Sequence, residues 1–332
     1  MNGAIALPPA ARPVPSLPAA LGGERHVIGG AAGPLSYYRA APAASTESTE
    51  STESTQRPLL LVHSVNASAT AYEVKPLYEH YSRRRPVYAL DLPGYGFSDR
   101  SDRAYTPRLM TDALHAMTAE IRRLHGPGAI DALALSLSSE FLARAAVESP
   151  TDFRSLALVS PTGFSGKKLR LGPAGGTRSV PWLLRVLQRP GLGPRLFGLL
   201  TRPAVIRYFL QRTWGSRQID EGLFEHDVLT TQQPGACHAP FHFLSAGLFS
   251  SDINALYDRL QLPVWIAHGT RGDFVDYRLT RSVASKPNWH ISVLPTGALP
   301  YFEVPARFCA AFDDFLAANA DGPVTASSPT AR

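Results

Sequence analysis

One nine-residue segment near the middle of the chain reads Ala132-Leu133-Ala134-Leu135-Ser136-Leu137-Ser138-Ser139-Glu140. Its first four residues form an apolar run of the length of a buried β-strand. A helical pattern follows, so the segment predicts a strand that turns sharply into a helix, with Ser136 at the turn. A serine in that position presents its hydroxyl to a cleft, and nearby backbone N–H groups point toward a developing oxyanion.

Short apolar runs recur along the chain and alternate with longer helical patterns such as residues 109–124. Two early β-prone runs, 26–28 and 35–39, predict a hairpin or two edge strands. The later runs cover residues 59–62, 86–90, 156–159, 264–267 and 290–294. This alternation predicts an α/β fold, a mostly parallel central sheet with helices on both faces.

Composition divides the 332 residues further. A Pro/Ala-rich beginning and a polar end predict disorder, a Ser-Thr-Glu repeat predicts a floppy loop, and a Pro-, Gly-, Leu- and Arg-rich stretch predicts an inserted helical cap. The predicted layout is a disordered extension at 1–24, the core at 25–164 and 251–318, the low-complexity loop at 45–56, the cap at 165–250 and a disordered tail at 319–332.

Three motifs at predicted strand ends resemble the α/β-hydrolase family. The family's nucleophile elbow, G-x-S-x-G, corresponds to ALSLS at 134–138, with small residues in place of both glycines. LVHSVNAS at 61–68 resembles a strand followed by H-G-x-x-x-S, with Ser64 in place of the glycine. DLPGYGFSD at 91–99 is close to D-x-P-G-x-G-x-S. The resemblance covers roughly residues 25–316 and implies an α/β-hydrolase fold of the capped, serine-nucleophile, esterase- or lipase-like branch.

The resemblance also implies roles for individual residues. Ser136 would be the nucleophile, and the backbone N–H groups of Val65 and Leu137 would form the oxyanion hole. The acid should follow the next-to-last strand, where HGTRGDFVD spans residues 268–276. A strict alignment puts the family's aspartate on a glycine, so we expect the neighbouring Asp273 to be the acid, with Asp276 as the alternative. Such a carboxylate orients an imidazolium, although a loop aspartate that only makes turn hydrogen bonds is a competing interpretation.

The family's catalytic histidine is missing. After the last strand the family reads G-H-x-x-x-x-E-x-P, and this chain reads GALPYFEVP at 297–305, with Ala298 at the histidine position. A serine hydroxyl is a weak nucleophile unless a base takes its proton, and loss of a triad member lowers the rate by several powers of ten. Another histidine could replace the base, the fold could bind an acyl or aromatic ligand without turnover, or Ala298 could be a substitution introduced into a parent sequence.

For a replacement base, His238 is the candidate, because it lies where the cap returns to the core; His242 follows one helical turn later. A histidine at such a junction is also often a structural hydrogen-bonding residue. His63 and His268 flank the same cleft, and His63 occupies the place where the family keeps a buried structural histidine.

The predicted chemistry is acyl transfer to water. Serine at the elbow argues against the alkyl-enzyme chemistry of haloalkane and epoxide relatives, which use aspartate there. Caps in this family usually cover the acyl pocket, so an apolar lining predicts an apolar small substrate. The expected substrate contacts are Ser64, Asn66, Trp182, Phe209, Ala298 and Leu299. We therefore expect hydrolysis of an ester or similar acyl bond; the alternative is a non-catalytic ligand-binding protein on the same fold.

Positive charge is concentrated in the cap. Between Phe164 and Ile219 lie eleven Lys and Arg residues and no Asp or Glu, whereas the whole chain carries a net charge of +6. This block predicts attraction to anionic lipid headgroups or to a phosphate-bearing substrate, with a solvated basic face as the alternative. Aromatic residues are not interleaved as stacking platforms, so no nucleic-acid partner is expected.

Other features argue against several protein classes. No apolar run approaches the ~20 residues of a membrane-spanning helix, and prolines interrupt the N-terminal region where a signal peptide would lie, so a cytoplasmic location is expected. The two cysteines, Cys237 and Cys309, are too few for a disulfide framework or a cysteine-built zinc site. We expect neither a metal nor another cofactor.

Overall fold

The structure is a computed structural model that describes residues 14–42, 57–272 and 276–320. Within these ranges the chain forms eight β-strands and eleven α-helices. The strands are β1 (Glu24–Ile28), β2 (Leu35–Ala40), β3 (Leu59–Val62), β4 (Val87–Leu90), β5 (Ile130–Leu135), β6 (Phe153–Val159), β7 (Val264–Gly269) and β8 (Trp289–Leu294). The helices are α1 (Lys75–Tyr81), α2 (Pro107–His125), α3 (Ser138–Glu148), α4 (Pro181–Leu187), α5 (Leu192–Leu200), α6 (Pro203–Trp214), α7 (Glu221–Thr231), α8 (His238–Leu244), α9 (Ile253–Arg259), α10 (Pro300–Glu303) and α11 (Pro305–Ala318).

The strands form one sheet in the order β1-β2-β4-β3-β5-β6-β7-β8. The six strands β3 to β8 run parallel to one another, and β1 and β2 form an antiparallel hairpin at one edge of the sheet. The mostly parallel α/β fold predicted from the apolar runs is confirmed. Because β4 lies on one side of β3 and β5 lies on the other, the order reverses at β3. Ligand sites in open α/β sheets form beyond the carboxyl ends of the strands at such a reversal.

Alternation along the strands gives the sheet two apolar faces. In β7, Ile266 packs with the residues of α2 and α3, whereas Trp265 points to the other face. There the indole stacks on Phe312 of α11, with ring centroids 5.3 Å apart. Successive strand residues point to opposite faces, so both helical layers bury the sheet and hold its carboxyl edge in place.

The D-x-P-G-x-G-x-S motif forms a tight turn after β4. The Asp91 carboxylate accepts hydrogen bonds from the N–H groups of Ala71 and Phe97, each at 3.0 Å. Gly96 has φ +50°, and a Cβ there would lie 2.0 Å from Asp91 Cγ, so only glycine fits. The turn therefore fixes the segment after β3, which precedes α1, against the end of β4.

Five helices, α4 to α8, lie between β6 and α9 in the predicted cap. At the N-terminal side, residues 14–24 include Ala20 and Leu21, which are buried against the sheet, and Ala20 N–H donates to the Tyr38 hydroxyl at 3.0 Å. Packing in this part of the predicted extension thus begins before residue 25. The predicted loop at 45–56 lies outside the described residues. None of the helices within the described ranges is both long and apolar enough to cross a bilayer.

Candidate active site

The chain turns sharply at Ser136, between β5 and α3. Ser136 has φ +55°, a left-handed conformation that serine rarely adopts. Its N–H donates to Val159 O of β6 at 2.8 Å, and its carbonyl accepts from Ser139 N–H at 3.1 Å. A residue held in such a conformation costs about 1–3 kcal/mol, and such residues cluster at functional sites. The half-buried side chain thus lies at the strand end where the sequence places a nucleophile.

The two predicted oxyanion donors lie on adjacent segments. β3 pairs in parallel with β5, so residues 63–68, here called the oxyanion loop, follow β3 beside the turn at Ser136. Ser138 Oγ donates to His63 O at 2.5 Å and joins the two segments. Val65 and Leu137 are both buried, and neither backbone N–H donates a hydrogen bond to any described residue. Neither N–H group has a partner among the described residues, so both can donate to an acceptor on a ligand.

A buried carboxylate that the sequence analysis missed holds the oxyanion loop. Glu73 accepts from Ser64 N–H at 2.7 Å, from Ser64 Oγ at 2.9 Å and from Asn66 Nδ2 at 2.9 Å. Burial raises the pKa of Glu73, while these donors lower it. The polar groups of Ser64 and Asn66 that were expected to contact substrate are therefore engaged within the protein. The one signal in the sequence was an acidic residue inside the apolar run 71–74.

His63 is a structural residue in this arrangement. Its Nε2 accepts from Leu92 N–H at 2.9 Å, which leaves the proton on Nδ1, and Nδ1 donates to Ser64 O at 2.6 Å. Burial lowers the pKa of His63 to about 4. Both ring nitrogens are occupied and the ring is neutral, so His63 has no free position to receive a proton from Ser136.

The loop that should carry the catalytic histidine is held by hydrogen bonds of its backbone. Gly297 N–H donates to Glu303 Oε1 at 2.6 Å, and Glu303 forms an ion pair with Arg271. Ala298 N–H donates to Thr213 O at 3.0 Å, and its carbonyl accepts from Ser160 Oγ at 2.7 Å. The Ala298 residue is half-buried, so a methyl group occupies a position that is partly open.

The remaining predicted histidines contact other side chains. His238 Nδ1 is 3.4 Å from Asp102 Oδ1, a carboxylate whose side chain is 77% exposed. His242 packs against the Tyr105 ring, and burial lowers its pKa. His268 stacks on Tyr277 with ring centroids 3.9 Å apart. No described residue shares a hydrogen bond with the Ser136 hydroxyl, so none of these histidines is bonded to it, and the role of His238 stays a prediction.

The predicted acid, Asp273, belongs to residues 273–275, outside the described residues. The alternative, Asp276, accepts from Gly166 N–H at 3.2 Å and from Arg278 N–H at 3.3 Å. It also pairs with the Arg278 guanidinium at 3.3 Å. These contacts fit the competing interpretation of Asp276 as a residue that makes turn hydrogen bonds.

The apolar surface over the oxyanion loop differs from the expected one. Trp182 and Phe209 are 62% and 56% exposed and do not line a buried pocket. Instead, Leu187, Phe197 and Phe241 form a buried cluster that packs with Ala67 of the oxyanion loop. Composition predicted the helices of the cap, but it could not tell which face of each helix meets the core. Leu299, the other apolar contact expected, is buried in the core.

The described residues offer no metal site, since no group of three or more of their His, Cys, Asp or Glu side chains is placed to hold an ion.

Comparisons with known proteins agree with this fold. Residues 59–311 match the model of the family described as "Alpha/beta hydrolase family". None of the curated proteins compared with the chain matches it. A probable hydrolytic enzyme from Pseudomonas aeruginosa is similar in structure, with TM-score 0.66, 20% identity, and coverage of 88% of this chain and 93% of that one.

Two further solved structures are similar. A serine hydrolase involved in carbazole degradation has TM-score 0.66 and 15% identity, over 89% of this chain and 99% of the other. A thermophilic esterase from Thermogutta terrifontis has TM-score 0.64 and 18% identity, over 90% of this chain and all of the other. At these identities the likeness shows the fold alone, but the family model spans most of the sequence. The chain belongs to the α/β-hydrolase family.

Proposed function

We propose that this protein hydrolyses an ester or similar acyl bond of an apolar small molecule, with Ser136 as the nucleophile. The observation that carries the proposal is the left-handed φ of Ser136 next to the unpartnered, buried N–H groups of Val65 and Leu137. A strained serine beside two free amides is the arrangement that acyl transfer requires, because the amides stabilise the negative charge that develops on the carbonyl oxygen.

In the proposed reaction, Ser136 Oγ attacks the acyl carbon, and the carbonyl oxygen becomes an oxyanion that accepts hydrogen bonds from Val65 and Leu137. The alcohol leaves with a proton, and water then attacks the acyl-enzyme and releases the acid. The hydroxyl proton of Ser136 must go to a base. Ala298 cannot accept it, so water, hydroxide or a histidine such as His238 would take it. We therefore expect slow turnover that rises toward alkaline pH.

The proposed substrate is apolar because of the side chains above the oxyanion loop. Leu187, Phe197 and Phe241 pack with Ala67, so an acyl chain bound there would meet carbon atoms rather than charges. Ligand pockets are lined mainly by such side chains, with a few polar groups that fix orientation. The hydrolytic enzymes and the esterase among the similar structures support the same class of reaction.

A second candidate function is ligand binding without turnover. It is favoured by one observation, the intact backbone of the loop around Ala298 with a methyl group in place of the base. Such a protein would bind an acyl compound in the same place and release it unchanged.

Labelling with a fluorophosphonate probe, together with hydrolysis of p-nitrophenyl esters, separates the two functions. If the protein is a hydrolase, we expect covalent labelling that is lost in Ser136→Ala. Ser139→Ala is a matched control, because this neighbouring hydroxyl bonds to Ala134 O inside the core and should not react. Ser160→Ala tests a second serine with left-handed φ at the next strand end.

Loss of the label in Ser160→Ala with its retention in Ser136→Ala would show that the nucleophile is misassigned. If the wild-type protein is folded and reacts with neither reagent between pH 6 and pH 10, the hydrolase proposal fails and the binding protein is supported.

A further inference from the structure

The cap exposes an unusual number of large apolar side chains. The described residues include twelve exposed large hydrophobic side chains, and eight of them lie between positions 169 and 209. These eight are Leu169, Leu171, Trp182, Leu192, Leu199, Leu200, Tyr208 and Phe209. Single exposed hydrophobic residues are ordinary, whereas exposed hydrophobic side chains that are contiguous on the surface mark an interaction site.

The same segment carries the chain's concentrated positive charge. Its eleven Lys and Arg residues are not balanced by any Asp or Glu between Phe164 and Ile219. Arg207 is paired with Glu221 of α7 at 2.7 Å. By contrast, among the described residues no carboxylate lies within salt-bridge distance of Lys167, Lys168 or Arg170. Apolar and cationic side chains are thus exposed together.

Part of this charge surrounds a groove of about 400 Å³ at the start of the cap. Its walls include Lys167, Lys168, Arg170 and Arg178, with Leu169 and Leu171 beside them. We call it the cationic groove. Burial and the positive charge of Arg170 lower the pKa of Arg178, and the Glu140 carboxylate opposes part of this shift. Since the two guanidinium groups repel each other, an anion between the groove walls would relieve that repulsion.

The backbone of the cationic groove is fixed to the core. Arg170 N–H donates to Asn254 Oδ1 at 2.7 Å, and Gly172 N–H donates to Ser251 O at 2.9 Å. A Cβ at Gly172 would lie 2.8 Å from the Ser251 side chain, so the two segments approach closely. The positive charges are therefore presented from an anchored segment.

We propose that the cap docks on a membrane surface that contains anionic phospholipids, with a headgroup phosphate in the cationic groove. The exposed Trp182, Tyr208 and Phe209 would lie at the headgroup level, where aromatic side chains prefer to be. A soluble phosphate ligand would use the groove but leave the exposed apolar side chains unexplained. A lipid surface matches both the charge and the apolar side chains, and it adds an interaction beyond the proposed hydrolysis.

Vesicle sedimentation of the full chain tests the proposal. At low salt, we expect binding to vesicles of phosphatidylcholine with 30% phosphatidylserine and little binding to pure phosphatidylcholine. High salt should release the protein, because screening weakens attraction between exposed charges. The triple variant Lys167→Ala, Lys168→Ala and Arg170→Ala should bind at least tenfold more weakly.

The control replaces three exposed cations of the core, Arg83→Ala, Arg259→Ala and Arg307→Ala, and so removes the same net charge. If this control loses as much binding as the groove variant, net charge rather than the groove attracts the lipid, and the proposed headgroup site is wrong. Absence of wild-type binding to the anionic vesicles at low salt overturns the docking proposal.

A further arm separates a lipid headgroup from a free phosphate. Trp182→Ala should weaken vesicle binding severalfold while leaving binding of inorganic phosphate, measured by calorimetry, unchanged. Suppose that phosphate binding depends on Lys167, Lys168 and Arg170 and that the protein does not bind vesicles. This result would overturn the proposed docking on a membrane and identify a soluble phosphate ligand. Circular dichroism and thermal unfolding confirm that each variant is folded.

Discussion

The turn at Ser136 and the loop at Ala298 lie beyond the ends of β5 and β8, and hydrogen bonds hold the backbone of both. At the turn, the strained conformation presents a hydroxyl beside two free amides. At the loop, Gly297 N–H still bonds to Glu303 and both backbone groups of Ala298 are bonded, but the side chain is a methyl. The contrast indicates that the loop at Ala298 is held in place although its side chain cannot take up a proton.

The largest expected effect comes from restoring the base. Ala298→His should place an imidazole at the family's position, because the loop is already held by Glu303, Thr213 and Ser160. Since losing a triad member lowers rates by several powers of ten, we expect labelling of Ser136 and ester hydrolysis to rise at least about 100-fold. Initial rates with a p-nitrophenyl ester measure the change.

The pH dependence of the same variant gives a second readout. The wild-type rate should keep rising into the alkaline range, whereas the Ala298→His rate should level off above the imidazole pKa, near neutrality. Ala298→Gln, which is polar and of similar size but takes up no proton, is the control. If a folded Ala298→His protein has the same rate as Ala298→Gln, the loop at Ala298 does not place the imidazole where it can reach the Ser136 hydroxyl.

The parts of the fold that were predictable are those fixed by local patterns. The β-prone and apolar runs located all eight strands to within a few residues, and the match is best for the central parallel strands, because strands buried on both faces are short, continuous apolar runs in sequence. The D-x-P-G-x-G-x-S motif predicted its turn, because no residue other than glycine fits at position 96 beside the Asp91 side chain. Strand ends also located the turn at Ser136.

Contacts between distant or differently oriented side chains could not be predicted. The role of Glu73 depends on a helix-flanking segment folding back onto Ser64. The exposure of Trp182 depends on which face of an amphipathic helix meets the core, and periodicity does not specify that. The direction of His238 follows from a nearby loop carboxylate, Asp102, which no motif contains.

An intermediate effect is expected at Glu73, which holds the oxyanion loop and not the loop at Ala298. Glu73→Gln keeps the size but replaces one acceptor oxygen by an NH₂ group that faces the donors of Ser64 or Asn66. The oxyanion loop should shift, and removing one oxyanion donor outright lowers rates about 10²–10³-fold. We therefore expect labelling of Ser136 to fall about tenfold, measured as the second-order rate constant with the fluorophosphonate.

Glu79→Gln, on the exposed side of α1, controls for loss of one negative charge. Equal labelling of wild type and Glu73→Gln, with both proteins folded, would contradict the proposed support of the oxyanion loop. In the Ala298→His background the same tenfold decrease should persist, because Glu73 acts on the oxyanion donors and not on the base.

The smallest effect concerns stability at the helix that follows Ser136. Glu140, one turn into α3, accepts from Thr162 Oγ1 at 2.6 Å and from Ser250 N–H at 2.8 Å, and burial raises its pKa from 4.5 to about 7. The folded state therefore holds this proton more tightly than the unfolded state, so the contribution of Glu140 to stability is full below about pH 4.5 and declines as pH rises to 7.

Glu140→Gln mimics the protonated form, and its free energy of unfolding relative to wild type should increase between pH 5 and pH 8 by up to about 3 kcal/mol. Urea unfolding at pH 5 and pH 8 measures the difference in free energy of unfolding, and Glu79→Gln is the exposed control. If this difference does not change with pH, Glu140 is already ionised in the folded protein at pH 5. The outcome bears on the helix after Ser136 alone, because Glu140 joins α3 to Ser250, and within the described ranges it makes no hydrogen bond to the loop at Ala298.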